Sequence, residues 1–216
     1  MILSLAAALD LAQRCAPAVA PATILAIAHA ESSLDTLAIN VNDGPRLSPA
    51  STPSEAAMTA RRYIAAGYSV DLGLGQINSS NLHWLGLAIE DSFDPCRNIA
   101  AAARVIGDNY QAAIRSGATG QDAMGVALSL YNTGKPRRGF ANGYVARVYR
   151  SARIVSHVTG SDRAPSPDRN AASVATVAAD PVRAIAPRAP QPAAWNVFGR
   201  PASSALIFSQ TGDNRE

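Results

Sequence analysis

Apolar residues recur at helical spacing through the first 158 residues of the 216-residue chain and predict a series of amphipathic helices. We find no convincing alternation of apolar and polar residues, which is the pattern typical of a half-buried strand. The predicted fold class is therefore all-α, with one helical domain over residues 1–160. The predicted helices span residues 2–14, 21–33, 52–67, 82–87, 94–117, 122–132 and 144–158.

Three of these helices begin with residues that are typical of helix starts. Pro21 can begin a helix because the N–H that proline lacks would have no partner in the first turn. Residues 52–55, with the sequence Thr-Pro-Ser-Glu, have the form of a capping box, and Asp94 precedes Pro95 as an N-cap. These signals place the helix starts more firmly than the apolar periodicity alone.

The composition changes at Gly160, beyond which lie 7 of the 14 prolines and no long apolar periodicity. Such a segment cannot bury enough apolar surface to offset the entropy lost on ordering. We therefore predict a domain boundary at residue 160 and a disordered, flexible Pro/Ala-rich tail over residues 161–216. Its two aromatic islands, residues 195–198 and 206–208, are either chance features of low complexity or docking motifs for a partner.

Composition and charge exclude several classes of function. The net charge of +3 and the pI of about 9.1 are only mildly basic, and no Lys/Arg-rich run supports nucleic-acid binding. The three histidines are scattered and no Cys-x-x-Cys pair occurs, so we predict no metal site and no cofactor. No stretch approaches the roughly 20 apolar residues of a membrane span.

Cys15 and Cys96 are either free thiols in a cytoplasmic protein or one disulfide in an oxidising compartment, and composition leaves both open.

One carboxylate falls on the apolar face of a predicted helix. Ile24, Ile27 and Ala28 recur at helical spacing, and Glu31 comes next on the same face. A charged carboxylate is costly to bury, so such a group either finds a partner or keeps its proton to higher pH. A carboxylic acid that stays protonated near neutral pH is what general-acid catalysis requires. The alternative is a solvated glutamate at the frayed end of a helix.

Four short motifs follow one another along the chain: Glu-Ser at residues 31–32, Gly-Leu-Gly-Gln-Ile-Asn at 73–78, Leu-Tyr-Asn at 130–132 and Gly-Tyr-Val at 143–145. The two glycines of the second motif favour a tight segment with exposed backbone over a long helix. Together, in a helical domain of this size, the motifs resemble the lysozyme-like lytic transglycosylases that cut peptidoglycan. Further segments, at 15–17, 71–78 and 93–96, are similar to those of the specialised lytic transglycosylases of bacterial type IV secretion systems. The resemblance covers about residues 5–158.

The resemblance implies a catalytic acid, Glu31, with substrate-binding residues around it. Those residues are Ser32, Gln76, Asn78, Tyr131, Asn132 and Tyr144. Tyr131 is expected to lie opposite Glu31 and to hydrogen-bond it. The resemblance also implies that Cys15 and Cys96 lie outside the cytoplasm and pair in a disulfide. Gly75 departs from the family pattern, because many relatives have Met at this position, and this difference bears on the shape of the groove.

The implied reaction needs one acid. Glu31 would protonate the oxygen between N-acetylmuramic acid and N-acetylglucosamine, and the C6 hydroxyl would then attack to give a 1,6-anhydro end. No second carboxylate is required, because the attacking hydroxyl is already tethered to the reacting sugar. Asp71 is the candidate for a second carboxylate, although aspartate more often serves a turn or cap. Trp84 could stack on a sugar ring, but a tryptophan among leucines is more often part of a core.

The expected function is therefore to open the cell wall in the periplasm for a type IV secretion or conjugation system. The expected partners are the glycan strands of peptidoglycan and, through the tail, other secretion components. Two alternatives stay open: a peptidoglycan-binding assembly factor with incidental activity, and a muramidase that uses water. The route of export also stays open. Residues 1–8 are apolar, but no basic residue precedes them and Asp10 interrupts the run, so we assign them to the first helix rather than to a secretory signal.

Overall fold

A computed structural model of the chain describes residues 1–159, which are mainly helical as predicted. The predicted tail over residues 161–216 and the boundary at residue 160 lie outside the described residues. Two short 3₁₀ turns, Ser79–Asn81 and Glu90–Phe93, join the larger elements. The α-helices are α1 (Leu5–Cys15), α2 (Pro21–Ser32), α3 (Pro53–Ala65), α4 (Leu82–Leu85), α5 (Pro95–Arg115), α6 (Gly120–Thr133), α7 (Arg138–Ala141) and α8 (Tyr144–Thr159).

The helix starts follow the capping residues. The Oγ1 of Thr52 accepts a hydrogen bond from the N–H of Glu55, and Asp94 accepts one from the N–H of Arg97 at 2.8 Å. These side chains satisfy N–H groups that have no partner inside the first turn. The first helix begins three residues later than predicted, because Ser4 caps it and accepts from the N–H of Ala7.

Helix α2 lies at the centre of the domain and packs against α1, α5 and α8. Its residues from Thr23 to Ala28 are all buried, and Ile24 and Ile27 are each 0% exposed. Burying a side chain of this size contributes roughly 1.5–3 kcal/mol. The helix that ends at Glu31 is therefore held on several sides, which fixes the position of the residue at its end.

The longest helix, α5, has 21 residues and forms an amphipathic wall against α1 and α6. Its buried face includes Ile99, Ile106 and Tyr110, at helical spacing. Within residues 1–159, no helix combines the length and the apolar character needed to cross a membrane.

A disulfide joins the end of α1 to the start of α5. Cys15 is the last residue of α1, Cys96 lies in the first turn of α5, and their Cα atoms are 5.3 Å apart. The bond connects residues that are 81 positions apart in the sequence. It ties the amino-terminal helix to the wall formed by α5.

The structure contains a small antiparallel sheet that the hydrophobic pattern did not predict. Its strands are β1 (Ile39–Val41), β2 (Val70–Leu72) and β3 (Ile77–Asn78), in the spatial order β1-β2-β3. Asp71 on the central strand is paired with Asn40 on one side and with Asn78 on the other. Since strands of two or three residues are too short to show an alternating pattern, their pairing rather than their composition identifies them. The sheet therefore presents a row of polar side chains on one face.

Candidate active site

An open cleft of about 690 Å³ carries amide, hydroxyl and carboxyl side chains on its wall. Five of the seven site residues expected from the sequence line this cleft, whereas Ser32 and Tyr144 do not. The lining residues are Glu31, Asn42, Asp71, Gln76, Ile77, Asn78, Ser80, Asn81, Trp84, Val105, Asn109, Leu130, Tyr131, Asn132, Thr133, Gly134, Arg138 and Asn142.

Glu31 is the penultimate residue of α2 and enters the cleft where the helix stops. The next two residues beyond the helix, Ser33 and Leu34, both have positive φ values, of 53° and 66°. Residues other than glycine rarely adopt this left-handed conformation. It cannot continue a right-handed helix, so α2 ends there. The buried body of α2 thus holds Glu31 rigidly at the edge of the core.

The carboxyl group of Glu31 accepts a hydrogen bond from a buried tyrosine on another helix. The hydroxyl of Tyr144, the first residue of α8, donates to Oε1 of Glu31 at 2.5 Å. Tyr144 is 0% exposed, and burial raises the pKa of its hydroxyl well above the usual value. It therefore keeps its proton and acts as a donor. The sequence placed Tyr144 among the substrate-binding residues, but in the structure it contacts Glu31 and not the cleft.

The pKa of Glu31 is raised to about 7. Desolvation by burial is the main cause, because it disfavours the charged carboxylate. The hydrogen bond from Tyr144 and the positive charge of Arg147 act in the opposite direction, while the negative charge of Asp71 raises the pKa further. The guanidinium of Arg147 lies 5.2 Å from the centre of the Tyr144 ring. These contributions place the titration of Glu31 near neutral pH, where a general acid works best.

Ser32 holds the end of α2 against the glycine-containing segment. Its hydroxyl donates to the backbone oxygen of Leu74 at 2.8 Å and also lies 3.1 Å from the oxygen of Ala28 in its own helix. The residue therefore positions the acid indirectly by tying two pieces of backbone together. The sequence placed Ser32 among the substrate-binding residues, but its contacts fit placement of Glu31 instead.

The tight segment at residues 73–76 is held by one buried amide side chain. The Oδ1 of Asn98, a residue of α5 that is 0% exposed, accepts from the N–H of Gly75 at 2.7 Å. Its Nδ2 donates to the backbone oxygens of Leu72 and Ser92, at 2.8 Å each. A Cβ atom added at Gly73 would lie 2.2 Å from the oxygen of Ser92. Asn98 was not identified from the sequence, although a polar residue on the buried face of α5 is a signal for such a role.

Tyr131 contacts the same segment rather than the acid. Its hydroxyl donates to the backbone oxygen of Gly75 at 2.6 Å. The expectation that Tyr131 hydrogen-bonds Glu31 is therefore wrong, since Tyr144 occupies that role. Tyr131 does line the cleft, and so does Asn132, whose Oδ1 accepts from the side-chain amide of Asn142 at 2.9 Å.

Gln76 and Asn78 both line the cleft, but much of their hydrogen bonding is internal. The Nε2 of Gln76 donates to the backbone oxygen of Gly73 at 2.9 Å and to that of Ala38 at 3.2 Å. Its φ of +48° is unusual for a residue other than glycine. The Nδ2 of Asn78 donates to Asp71, and its Oδ1 accepts from the N–H and hydroxyl of Ser80. The oxygen of Gln76 is the part of this pair that can accept a hydrogen bond from a ligand.

Asp71 lies in the same cleft as Glu31 and is neither a turn residue nor a cap. It belongs to β2 and accepts hydrogen bonds from three asparagine side chains. Asn78 donates to Oδ1 at 2.7 Å, while Asn42 and Asn40 donate to Oδ2 at 3.0 and 3.2 Å. The interpretation of Asp71 as a turn or cap residue is therefore wrong, and the cleft holds two carboxyl groups.

Trp84 is also placed differently from the expectation. It lies in α4, is 40% exposed and lines the cleft, so it is not a core residue. The leucines around it in the sequence suggested a core position. However, α4 is only four residues long, and its buried residue is Leu82. Among residues 1–159, no group of three or more His, Cys, Asp or Glu side chains is arranged to hold a metal ion.

Comparison with protein families matches the sequence of this chain to one family. The family model described as "Transglycosylase SLT domain" matches residues 10–152, which include Glu31 and all the residues lining the cleft. The chain belongs to the transglycosylase SLT domain family. The mainly helical architecture predicted from the sequence agrees with this membership.

The SLT domain of this chain is similar to proteins called VirB1. It is 38% identical over 146 residues to "Protein virB1" of Agrobacterium fabrum, which covers 66% of this chain and 58% of the relative. It is 40% identical over 144 residues to "Protein virB1" of Rhizobium radiobacter, covering 65% and 59%. It is 35% identical over 154 residues to "Type IV secretion system protein virB1" of Brucella abortus, covering 68% and 65%. The matches thus span about three-fifths of the length of these relatives. No solved structure matches the chain significantly.

This SLT domain has glycine at residue 75, where many members of the family have methionine. A Cβ atom at Gly75 would lie 2.8 Å from the Cβ of Ala102 and 3.0 Å from the hydroxyl of Tyr131. A side chain of any size would therefore push α5 or Tyr131 away from the segment. In this chain the absence of a side chain at residue 75 lets the backbone oxygen approach the Tyr131 hydroxyl to 2.6 Å.

Proposed function

We propose that this chain is a lytic transglycosylase that cleaves peptidoglycan between N-acetylmuramic acid and N-acetylglucosamine and leaves a 1,6-anhydro end. The observation that carries the proposal is the position and the pKa of the Glu31 carboxyl group. Its carboxyl group lines a polar cleft in an SLT domain and has a pKa of about 7. A carboxyl group that titrates near neutral pH can serve both as a proton donor and as a base.

In the first step, Glu31 donates its proton to the glycosidic oxygen, and the bond from that oxygen to the anomeric carbon of N-acetylmuramic acid breaks. The sugar that leaves carries the transferred proton as a hydroxyl group. Positive charge develops at the anomeric carbon in the transition state. Asp71, whose carboxyl group accepts hydrogen bonds from three asparagines, lies in the same cleft. Its negative charge stabilises the positive charge that develops at the anomeric carbon.

In the second step, the C6 hydroxyl of the same N-acetylmuramic acid attacks the anomeric carbon. Glu31, now a carboxylate, takes the proton from this hydroxyl and so returns to its starting form. Tyr144 stabilises the intermediate carboxylate through its hydrogen bond to Oε1, and Arg147 supplies a positive charge nearby. The reaction consumes no water, because the ring closes within one sugar.

A hydrolytic muramidase is the second candidate, and Asp71 is the observation that favours it. Glycosidases that retain configuration use one carboxyl group as acid and a second as nucleophile or charge stabiliser. Glu31 and Asp71 are two such groups in one cleft. In this alternative, water completes the reaction and the product has a reducing end.

The site of action follows from the substrate and from the relatives. The relatives from Brucella are named as type IV secretion system proteins, and peptidoglycan lies outside the cytoplasm. We therefore propose that the protein acts in the periplasm and opens the wall locally for assembly of a secretion or conjugation system. An assembly factor that binds peptidoglycan and has only incidental activity is the third candidate.

Mass spectrometry of purified peptidoglycan digested by the protein tests all three functions. Transglycosylation gives 1,6-anhydro ends, hydrolysis gives ends heavier by one water, and an assembly factor with incidental activity gives few new ends of either kind. We expect anhydro ends from the parent and a loss of about 10²–10⁴-fold in rate for Glu31→Gln. Asp108→Asn, on the exposed side of α5, is the matched control and should cleave like the parent. Cleavage by Glu31→Gln within threefold of the parent would refute the assignment of the acid.

Asp71→Asn separates the first two candidates. If Asp71 only stabilises charge during transglycosylation, the variant should slow while its products keep anhydro ends. If Asp71 is the nucleophile of a muramidase, the variant should lose cleavage almost as completely as Glu31→Gln. Products from the parent that carry only reducing ends would favour the second candidate over the first.

A further inference from the structure

The wall of the cleft has an aromatic ring, that of Trp84 in α4, which the proposed reaction does not use. Trp84 is 40% exposed and lines the cleft, while Glu31 interacts with Tyr144, Asp71 and Arg147. We propose that Trp84 is the stacking platform of a separate saccharide subsite, which binds an N-acetylated hexosamine away from the bond that is cleaved. This inference rests on the proposed function, since it names how the same cleft holds a longer glycan strand.

Two contacts fix the orientation of the Trp84 ring. Its indole Nε1 donates to the Oδ1 of Asn81 at 3.0 Å, which anchors one edge of the ring. The guanidinium of Arg104 lies over the ring, 5.1 Å from its centroid. Arg104 covers one face of the indole by cation–π contact, and we assign the opposite face to the ligand. The ring is thus pre-oriented, which lowers the entropy lost when a ligand binds.

Asn81, which contacts this ring, and other side chains that line the same cleft are suited to a neutral, amide-bearing sugar. Asn81 and Asn109 line the cleft together with Val105, which follows Arg104 in α5. Amide side chains can donate to and accept from an acetamido group, while Val105 and the indole offer apolar surface to the C–H groups of a pyranose ring. An aromatic ring with a few convergent amides is the composition expected of a site for a polar ligand with apolar faces.

The charges of the cleft also favour a neutral ring over an anionic one. The cleft contains two carboxyl groups, Glu31 and Asp71, and one cationic side chain, Arg138. Arg104 is occupied against the face of the indole. An acetamido sugar forms its contacts through hydrogen bonds and stacking, and therefore needs no counter-charge at this position.

Binding of chitotetraose, the β-1,4 tetramer of N-acetylglucosamine, tests the subsite without requiring cleavage. The chain has two tryptophans, so Trp195→Phe in the full-length protein leaves Trp84 as the only indole. Titration of this variant should give a saturable change in tryptophan emission. Calorimetry should show that Trp84→Ala weakens binding about tenfold, from the loss of stacking and of buried apolar area. Trp84→Phe should restore most of the affinity, because it keeps an aromatic face.

The matched control is Tyr68→Ala, which removes an aromatic ring that is 39% exposed, contacts Tyr63 and does not line the cleft. This variant should bind chitotetraose like the parent. Cellotetraose, which lacks acetamido groups, should bind more weakly than chitotetraose to the parent. Affinity of Trp84→Ala within twofold of the parent, or saturable binding without a change in Trp84 emission, would overturn the subsite.

Kinetics on peptidoglycan separate the failure of this inference from the failure of the proposed function. Trp84→Ala should raise the substrate concentration at half-maximal rate and leave the limiting rate within about threefold, since the residue contributes to binding rather than to proton transfer. A protein that binds chitotetraose through Trp84 but cuts no glycan would contradict the proposed function alone. A protein that cuts through Glu31 but binds chitotetraose independently of Trp84 would contradict the subsite alone.

Discussion

Replacing Glu31 by glutamine should abolish cleavage and, above neutral pH, stabilise the fold. Both effects have the same origin, because burial raises the pKa of this carboxyl group to about 7. Glutamine has nearly the same size, its oxygen can accept the hydrogen bond from Tyr144, and it cannot ionise. The variant therefore removes the acid and the cost of burying its charge in one substitution.

The sign and size of the stability effect follow from the two pKa values. The carboxyl group ionises near 4.5 in the unfolded chain and near 7 in the fold. Between these pH values the folded state holds a proton that the unfolded state releases, so stability falls as the pH rises from about 4.5 to about 7. Each pH unit corresponds to about 1.4 kcal/mol, which gives a full cost of roughly 3 kcal/mol above pH 7 and none below pH 4.5. For a domain of this size the cost corresponds to a Tm lower by about 6–12 °C.

Thermal unfolding of the parent and of Glu31→Gln from pH 4 to pH 8.5 measures this effect. The two proteins should unfold at similar temperatures near pH 4.5, and the variant should become progressively more stable than the parent as the pH rises to 7. The difference should then stay constant. Asp108→Asn removes an exposed carboxylate of α5 and should track the parent at every pH. A Tm difference between Glu31→Gln and the parent that is independent of pH would refute the raised pKa, even if the variant is inactive.

Three further predictions concern other parts of the molecule. Tyr144→Phe removes the hydrogen bond that lowers the pKa of Glu31, so the fall in activity with rising pH should move to higher pH; a rate–pH profile at an unchanged position would contradict this. Cys15→Ser breaks the bond to Cys96 and should lower stability by up to about 4–5 kcal/mol, and reductant should lower the Tm of the parent to that of the variant without affecting the variant. Ending the chain at residue 160 should leave peptidoglycan cleavage and Tm nearly unchanged and should impair transfer in cells. Loss of cleavage by the purified shorter chain would place part of the folded domain in residues 161–216.

The helices and the position of the acid could be predicted because both depend on local sequence. Capping residues such as Thr52 and Asp94 act within one helical turn, so their effect is readable from four consecutive residues. Glu31 could be found because it continues the apolar face of a helix that the structure buries almost completely. These features require no knowledge of which elements meet in space.

The polar partners of the cleft could not be predicted, because they depend on contacts between distant segments. Asp71 and Asn40 are paired across β1 and β2, and strands of three residues leave no readable period. Tyr144 meets Glu31 across 113 residues, and nothing near Tyr144 in the sequence distinguishes a ring that binds substrate from one that holds the acid. For Trp84 the sequence left a stacking role and a core position open, and its leucine neighbours favoured the core. The shortness of α4, which decides its exposure, is the least predictable property of a helix.

The balance of interactions at Glu31 bears on why one carboxyl group could serve both steps of the proposed reaction. Desolvation alone would push its pKa further upward and leave a weaker acid, whose proton is costlier to donate. The Tyr144 hydroxyl and the charge of Arg147 stabilise the ionised form and return the pKa to about 7. At that value neither form is strongly favoured at neutral pH, so donating the proton to the leaving oxygen and recovering one from the C6 hydroxyl cost similar amounts. A site that relied on burial alone would give up its proton less readily in the first step, although its carboxylate would be a stronger base in the second.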